Sequence, residues 1–158
     1  ILFTDKKFLQ NNFLLLQHIS SPVLLAAQDR LVCTFDVLHR GHLALLNYAR
    51  SQGDEVAVAV DTDARVKEMK GESRPVNCCL DRMEMLRALK FVDKVFSFSS
   101  DEELENLIKT YEPDIMIVGS DWKDKSVIGS MYAAELKFFD RLENYATSKT
   151  IQSIIDRG

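Results

Sequence analysis

The chain has 158 residues, 46% of them hydrophobic and 28% charged, with a formal net charge of −4. That length supports one α/β domain with a sizeable core, and the balance is that of a soluble globular protein, not a fibrous or disordered one. The negative net charge excludes a general nucleic-acid-binding surface; any polyanion site must be a local gathering of Lys and Arg, which suits a small phosphorylated ligand.

At the amino-terminal end, Lys6-Lys7 precede Phe8-Leu9 and Phe13-Leu14-Leu15-Leu16, but Gln10, Asn11, Asn12, Gln17 and His18 break the apolar run, so a secretory signal is disfavoured. Residues 1–28 match no motif and are read as a leader of unassigned role, with a single domain over 29–158. No apolar run is long enough to span a bilayer, so no membrane partner is expected. Cys33, Cys78 and Cys79 are odd in number, two of them adjacent, without a CxxC spacing. A disulfide framework or zinc ribbon is thereby disfavoured, and a reducing, cytoplasmic compartment is expected.

Leu31-Val32-Cys33-Thr34-Phe35 is apolar and partly β-branched and reads as the first buried strand. Gly41 to Arg50 carries Leu45, Leu46 and Ala49 at helical spacing, with Gly53 as a stop. Glu55-Val56-Ala57-Val58-Ala59-Val60 is nearly all apolar, as a parallel strand covered on both faces must be. A short helix begins at Asp61-Thr62-Asp63. Lys67 to Asn77 reads as a loop from its Gly and Pro content and holds three cations, Lys67, Lys70 and Arg74. A helix over about Leu80–Leu89 and a strand at Lys94–Phe98 follow. Ser100 and Glu103 have capping-box spacing ahead of Leu104, Leu107, Ile108 and Tyr111, and Pro113 closes that helix. Asp114-Ile115-Met116-Ile117-Val118 is the next buried strand, Leu136–Phe139 the fifth, and Ile151, Ile154 and Ile155 lie on the last helix.

Strands alternating with helices imply right-handed crossovers and a doubly wound parallel sheet of five strands, with ligands bound beyond the carboxyl ends of the strands. Asp36, His39, His42, Asp61, Asp121, Trp122 and Arg141 all follow strands and are expected to converge there.

The histidines carry the chemistry. His39 and His42 fall where a strand hands over to a helix, and a helix N-terminus offers unpaired N–H groups and the positive end of a dipole. Gly41 lacks a Cβ and admits a bulky anion to the backbone. Two imidazoles there can donate to a phosphate whose charge grows during reaction. Zinc ligation and a purely structural histidine pair are the competing readings. The first lacks a third protein ligand, the nearest cysteine lying back in the predicted strand. Near the other end, Thr147 or Ser148 is a natural N-cap for the last helix, and the same hydroxyls suit the terminal phosphates of a nucleotide.

The string Thr34-Phe35-Asp36-Val37-Leu38-His39-Arg40-Gly41-His42 resembles the HxGH signature of the cytidylyltransferase-like nucleotidyltransferases, and the similarity extends from about Arg30 to Ile155. Lys70-Gly71-Glu72-Ser73-Arg74-Pro75-Val76-Asn77, with Arg82-Met83, Ala88-Leu89 and Val92-Asp93, is similar to the KGxSRPVN pattern of heptose 1-phosphate adenylyltransferases. Ile117 to Lys125, with Gly119, Asp121 and Trp122, is instead similar to a segment of glycerol 3-phosphate cytidylyltransferases, and Arg141 to Lys149 is similar to motifs of both branches. The longer, contiguous loop match favours the heptose branch.

The resemblance implies a Rossmann-like fold and transfer of a nucleoside monophosphate from ATP, or CTP in the glycerol branch, to a sugar or polyol phosphate. It implies Mg2+ accompanying the triphosphate and no protein-held metal centre, and a homodimer. It casts His39, His42, Lys70 and Arg82 as catalytic. Thr34, Phe35, Asp36, Gly41, Gly119, Asp121, Trp122, Arg141, Thr147 and Ser148 are cast as nucleotide-binding, with Asp36 orienting a histidine or helping to hold magnesium and Trp122 facing the nucleoside. Three positions depart from the pattern: Cys33 stands where the family has glycine, Asn144 replaces another glycine, and Ala146 replaces a serine. A side chain at position 33 would crowd the nucleotide phosphates, and a nucleotide-binding module without transfer activity is therefore the alternative.

Overall fold

The computed structural model describes residues 22–26 and 34–158. Five strands, β1 (Pro22–Ala26), β2 (Glu55–Asp61), β3 (Lys94–Phe98), β4 (Ile115–Gly119) and β5 (Glu135–Phe139), form one sheet in the order β3-β2-β1-β4-β5. Every pairing is parallel. Helices α1 (Arg40–Arg50), α2 (Asp63–Lys70), α3 (Cys79–Arg87), α4 (Asp101–Tyr111) and α5 (Thr147–Ile155) complete the alternation expected from the sequence.

The period of two along each strand divides the core into two layers. Val23 and Leu25 of β1, Val56, Val58 and Val60 of β2 and Ile117 of β4 face α1 and α3, packing on Leu45, Leu46, Ala49, Met83 and Leu86. Leu24, Ala57, Ala59, Met116 and Val118 point the other way, onto Leu104 and Ile108 of α4 and onto Phe98, Trp122 and Val127. Covered on both faces, β2 is buried from Val56 to Asp61, as its unbroken apolar run requires.

At α4, Ser100 Oγ accepts from the Glu103 N–H at 3.1 Å, as the spacing predicts. The Glu103 carboxylate closes the cap one residue earlier than expected, accepting from the N–H and hydroxyl of Ser99, each at 2.7 Å.

Three sequence expectations are corrected. The strand at the centre of the sheet, between β2 and β4, is Pro22–Ala26, inside the segment read as a leader, in the place expected of Leu31–Phe35. Thr34 and Phe35 are irregular backbone, and residues 31–33, like the predicted boundary at 28/29, lie outside the described residues. Two apolar runs stand close together here, and hydrophobic pattern alone cannot say which of them pairs with β2. Helix α2 runs through Lys67 to Lys70, so the loop is confined to the residues after it. The N-cap of α5 is Ala146, not Thr147 or Ser148.

Among the described residues no helix is long and apolar enough to cross a membrane.

Candidate active site

In the order β3-β2-β1-β4-β5 the succession of strands switches sides at β1 and β4, and in open α/β sheets the crevice at such a switch in strand order, beyond the strand carboxyl ends, is where ligands bind. A cavity of about 250 Å3 lies there. Thr34, Gly119 at the end of β4, Phe139 at the end of β5, and His39, Gly41, His42 and Leu45 at the start of α1 line it. Lys70 and Arg74 of the cationic segment, Arg141, Leu142, Tyr145 and Ala146 of the β5–α5 connection, and Thr147 and Ser148 of α5 complete the wall. Three lysine or arginine residues and two histidines thus border one pocket, with no Asp or Glu among the described residues that line it. Such a wall favours an anion of high charge.

His39 is the N-cap of α1, in extended backbone, and His42 lies in the first turn. Their rings stack at 3.8 Å between centroids and 13° between planes. The lone pairs of two near-parallel imidazoles run side by side and do not converge, which disfavours a shared zinc ion. The His39 N–H donates to His42 Nδ1 at 3.4 Å. An accepting Nδ1 leaves the proton of neutral His42 on Nε2, so the ring is a single N–H donor.

Burial, then the neighbouring His39 and Lys70, push the His42 pKa down to about 3. Burial also lowers His39. Both rings are therefore neutral at pH 7. His39 Nδ1 is shielded from solvent and makes no protein hydrogen bond among the described residues.

Gly41 fits tightly here. A Cβ on it would lie 3.0 Å from His39 Cε1 and 3.0 Å from Tyr145 Cβ. Its missing side chain thus makes room for the imidazole and for Tyr145, besides exposing the helix N-terminus. The Tyr145 hydroxyl accepts from Arg40 Nη1 at 3.5 Å, and its ring lies 6.3 Å from that of His39.

Of the residues singled out from sequence, His39, His42, Lys70, Thr34, Gly41, Gly119, Arg141, Thr147 and Ser148 meet in this pocket. Phe35, Asp36, Arg82, Asp121 and Trp122 are absent from its lining. Arg82 is fully buried. It donates to the carbonyls of Asn77 at 3.1 Å, Thr34 at 2.9 Å and Asp61 at 2.8 Å, and to Asp63 Oδ1 at 2.8 Å. It is a clamp across strand ends, not a phosphate ligand.

Trp122 packs into the α4-side core, with Lys125 Nζ 5.1 Å from its ring centroid. Asp121 pairs with Arg141 at 2.7 Å. Asp61, also expected at the site, is buried and pairs with Arg65 at 2.8 Å. Phe35 is a core residue beneath His42, 5.2 Å between ring centroids.

Asp36 neither orients a histidine nor faces the pocket. Its Oδ2 accepts from Arg74 Nε and the Val76 N–H, each at 2.9 Å, and its Oδ1 from the Asn77 N–H at 2.9 Å. Burial pushes this carboxyl up, but the Asn77, Val76 and Arg74 bonds outweigh it and hold the pKa below the ordinary value. With Asp36 engaged in this way, the described residues that line the pocket include no carboxylate to hold magnesium. Among the described residues no cluster of three or more His, Cys, Asp or Glu could hold a metal. Cys33, where the family has glycine, lies outside the described residues.

Sequence reasoning did not assign Arg74 or Tyr145 to the site. Arg74 lay in the cationic run, but nothing local ranks it above Lys67, which pairs with Glu72 at 3.7 Å. Tyr145 had no signal beyond its place before the last helix.

A family model described as cytidylyltransferase-like matches residues 31–143. Among curated relatives, "Bifunctional protein HldE" of Campylobacter fetus subsp. fetus is 45% identical over 120 residues, covering 76% of this chain and 26% of the relative. The protein of the same name from Helicobacter hepaticus is 43% identical over 130 residues, 80% of this chain and 27% of the relative. The chain thus spans about a quarter of the length of these relatives. A solved structure, the lipopolysaccharide core biosynthesis protein from Thermoplasma volcanium, superposes with a TM-score of 0.57 at 21% identity, covering 80% of this chain and 99% of that one. The fold is shared with it. Because the family match takes in both imidazoles, the cationic segment and Arg141, the chain belongs to the cytidylyltransferase-like family.

Proposed function

We propose that the chain transfers a nucleoside monophosphate from a nucleoside triphosphate to a sugar phosphate with release of pyrophosphate, acting as a heptose 1-phosphate adenylyltransferase. One observation carries the reading: neutral imidazoles, Lys70, Arg74, Arg141 and the start of α5 border a single pocket at the point where the strand order switches, with no acidic residue among the described residues that line it. The KGESRPVN segment that supplies Lys70 and Arg74 is the part most like the heptose enzymes, and the relatives of about 45% identity carry one name. The glycerol 3-phosphate reading loses its main support, since Trp122 of the segment resembling that branch is a core residue.

In this reading an oxygen of the acceptor phosphate attacks the α-phosphorus in line. The new P–O bond forms as the bond to the bridging oxygen breaks, and pyrophosphate leaves with that electron pair. An ionised phosphate oxygen has no proton to surrender, so no general base is required, and catalysis rests on positioning and charge stabilisation. His42, through its Nε2–H, and His39 donate to the α-phosphate and bridging oxygens. Lys70, Arg74 and Arg141 neutralise the triphosphate, and Ser148 with the α5 N-terminus receives its end. Magnesium enters as the companion of the triphosphate, held by phosphate oxygens and water, as small hard cations prefer. The same reading makes the protein a cytoplasmic homodimer.

Alanine at His39 or His42 removes a donor to developing charge and is expected to cost about 2.7–4 kcal/mol of barrier stabilisation, lowering kcat about 100- to 1,000-fold. Pyrophosphate release from ATP and heptose 1-phosphate measures it, with CTP and glycerol 3-phosphate as the competing pair. Unchanged turnover in both variants refutes the site. Nucleotide binding without pyrophosphate release for any acceptor would leave a binding module instead.

A further inference from the structure

Asp36 has no part in the reaction as written, yet it joins three segments far apart in the chain. It is fully buried. Its two neighbours, Phe35 and Val37, sit at φ of +51° and +50°, the left-handed region that side chains, and β-branched ones most of all, disfavour. Backbone of that kind persists only where its surroundings hold it.

The carboxylate supplies part of the hold. Arg74 Nη2 approaches Oδ2 to 2.8 Å, beside the Arg74 Nε, Val76 and Asn77 bonds already described. The Asp36 carbonyl accepts from Thr147 Oγ1 at 2.8 Å. Asn77 in turn gives its carbonyl to Arg82, which also grips Thr34 two residues before Asp36. Loop, histidine segment and Arg82 of α3 are thereby closed into one ring of hydrogen bonds, to which Thr147 ties α5.

We propose that Asp36 is a positioning residue of the nucleotide site: by holding residues 74–77 it sets the reach of Arg74 and Lys70 toward the histidine pair, without touching substrate. The inference rests on the phosphate-binding reading of the pocket. A loop beginning at Gly71, whose φ is +92°, and carrying the long side chain of Arg74 would otherwise have to be ordered by the ligand at an entropic cost. An anchored loop meets the triphosphate already in place. The carboxylate suits this task because its bonds to two backbone N–H groups and a guanidinium are charge-assisted, and so stronger than those of a neutral amide.

Asp36→Asn tests it, because one amide end must then turn an N–H toward existing donors. With the fold kept by far-ultraviolet circular dichroism, the expected result is a rise of about tenfold or more in KM for magnesium ATP, with kcat falling less. Trypsin cleavage after Lys70 should speed up by a comparable factor, about tenfold, while cleavage at other lysines stays unchanged, as local opening of one loop requires.

Arg74→Met and the double variant complete a cycle. If Asp36 acts through Arg74, the double variant's KM lies within about twofold of the worse single variant, not at the product of the two effects. Independent multiplication of the effects, an unchanged KM, or loss of the whole fold in Asp36→Asn would each overturn the proposal. Affinity for inorganic tripolyphosphate by calorimetry and the Lys70 cleavage rate need no turnover. They decide the matter even if the wild-type protein transfers nothing, an outcome that would count against the enzymatic reading alone.

Discussion

The Thr147 hydroxyl donates to the carbonyl of Asp36 at 2.8 Å, tying the first residue of α5 to the segment that presents the histidines, 111 residues earlier in the chain. With the Arg40–Tyr145 bond, it ties α5 to the start of α1 across the pocket. Thr147→Val keeps the shape but leaves the carbonyl without its donor. The expected loss is about 1–3 kcal/mol of stability, read as a lower urea midpoint, with a raised KM for the nucleotide. Thr147→Ser retains the hydroxyl and should restore most of both.

Gly41 lies within a helix, where alanine is ordinarily the better residue by about 1 kcal/mol. Here the added methyl meets His39 Cε1 and Tyr145 Cβ at 3.0 Å, so one of them must shift by a few tenths of an ångström. Gly41→Ala should therefore leave the melting temperature nearly unchanged yet lower kcat about tenfold by displacing His39. Steady-state kinetics beside a thermal melt separate the two effects.

Acid should destabilise the protein through His42. Its folded-state pKa is pushed down to about 3 from the ordinary 6.5, so between those limits the unfolded chain binds the extra proton. Stability attributable to His42 is complete above pH 6.5 and drains away as pH falls toward 3, at up to about 1.4 kcal/mol per pH unit. The Asp36 contribution, by contrast, is lost only below the ordinary carboxylate range. Urea titrations at pH 7, 6, 5 and 4 should show a shallower acid loss in His42→Asn than in wild type. Equal slopes would place His42 in a wetter site than the one described.

Arg82 and Trp122 separate structural from ligand-binding roles. Arg82→Met strands the carbonyls of Thr34, Asp61 and Asn77 and leaves Asp63 without its partner at 2.8 Å. A loss of about 3–5 kcal/mol is expected, seen as a large fall in the urea midpoint. Trp122→Phe trims a core side chain that does not line the pocket. It should cost about 1–3 kcal/mol of stability while KM for ATP stays within about twofold, whereas a tryptophan stacked on a nucleobase would move KM first.

Several elements were legible locally, although the N-cap of α5 and the start of the cationic loop were not. β2 and β3 emerged at their residues because an apolar run or a strand between turn signals needs no distant partner to be recognised. The α4 start followed from Ser100 and Glu103, and the pairing of His39 with His42 from their spacing across a helix N-terminus. A cationic segment near a strand end was likewise visible in composition, although α2 claims Lys67 and Lys70 as its last turn.

The remainder depended on contacts between segments distant in sequence. Pro22–Ala26 and Leu31–Phe35 are both credible strands, and only pairing with Val56, Val58, Ile115 and Ile117 selected the first. Arg82 and Arg74 are alike in sequence, but three carbonyls surround one and the pocket admits the other. Asp36 follows the same rule, since its acceptors are satisfied by residues 38 to 41 positions away before any ligand arrives. Residue order determined which groups collect at the strand ends, because period and capping are properties of neighbours. Which of those groups remain turned toward a ligand was decided by the tertiary structure, because a buried polar atom must bond to whatever donor or acceptor the fold brings to it.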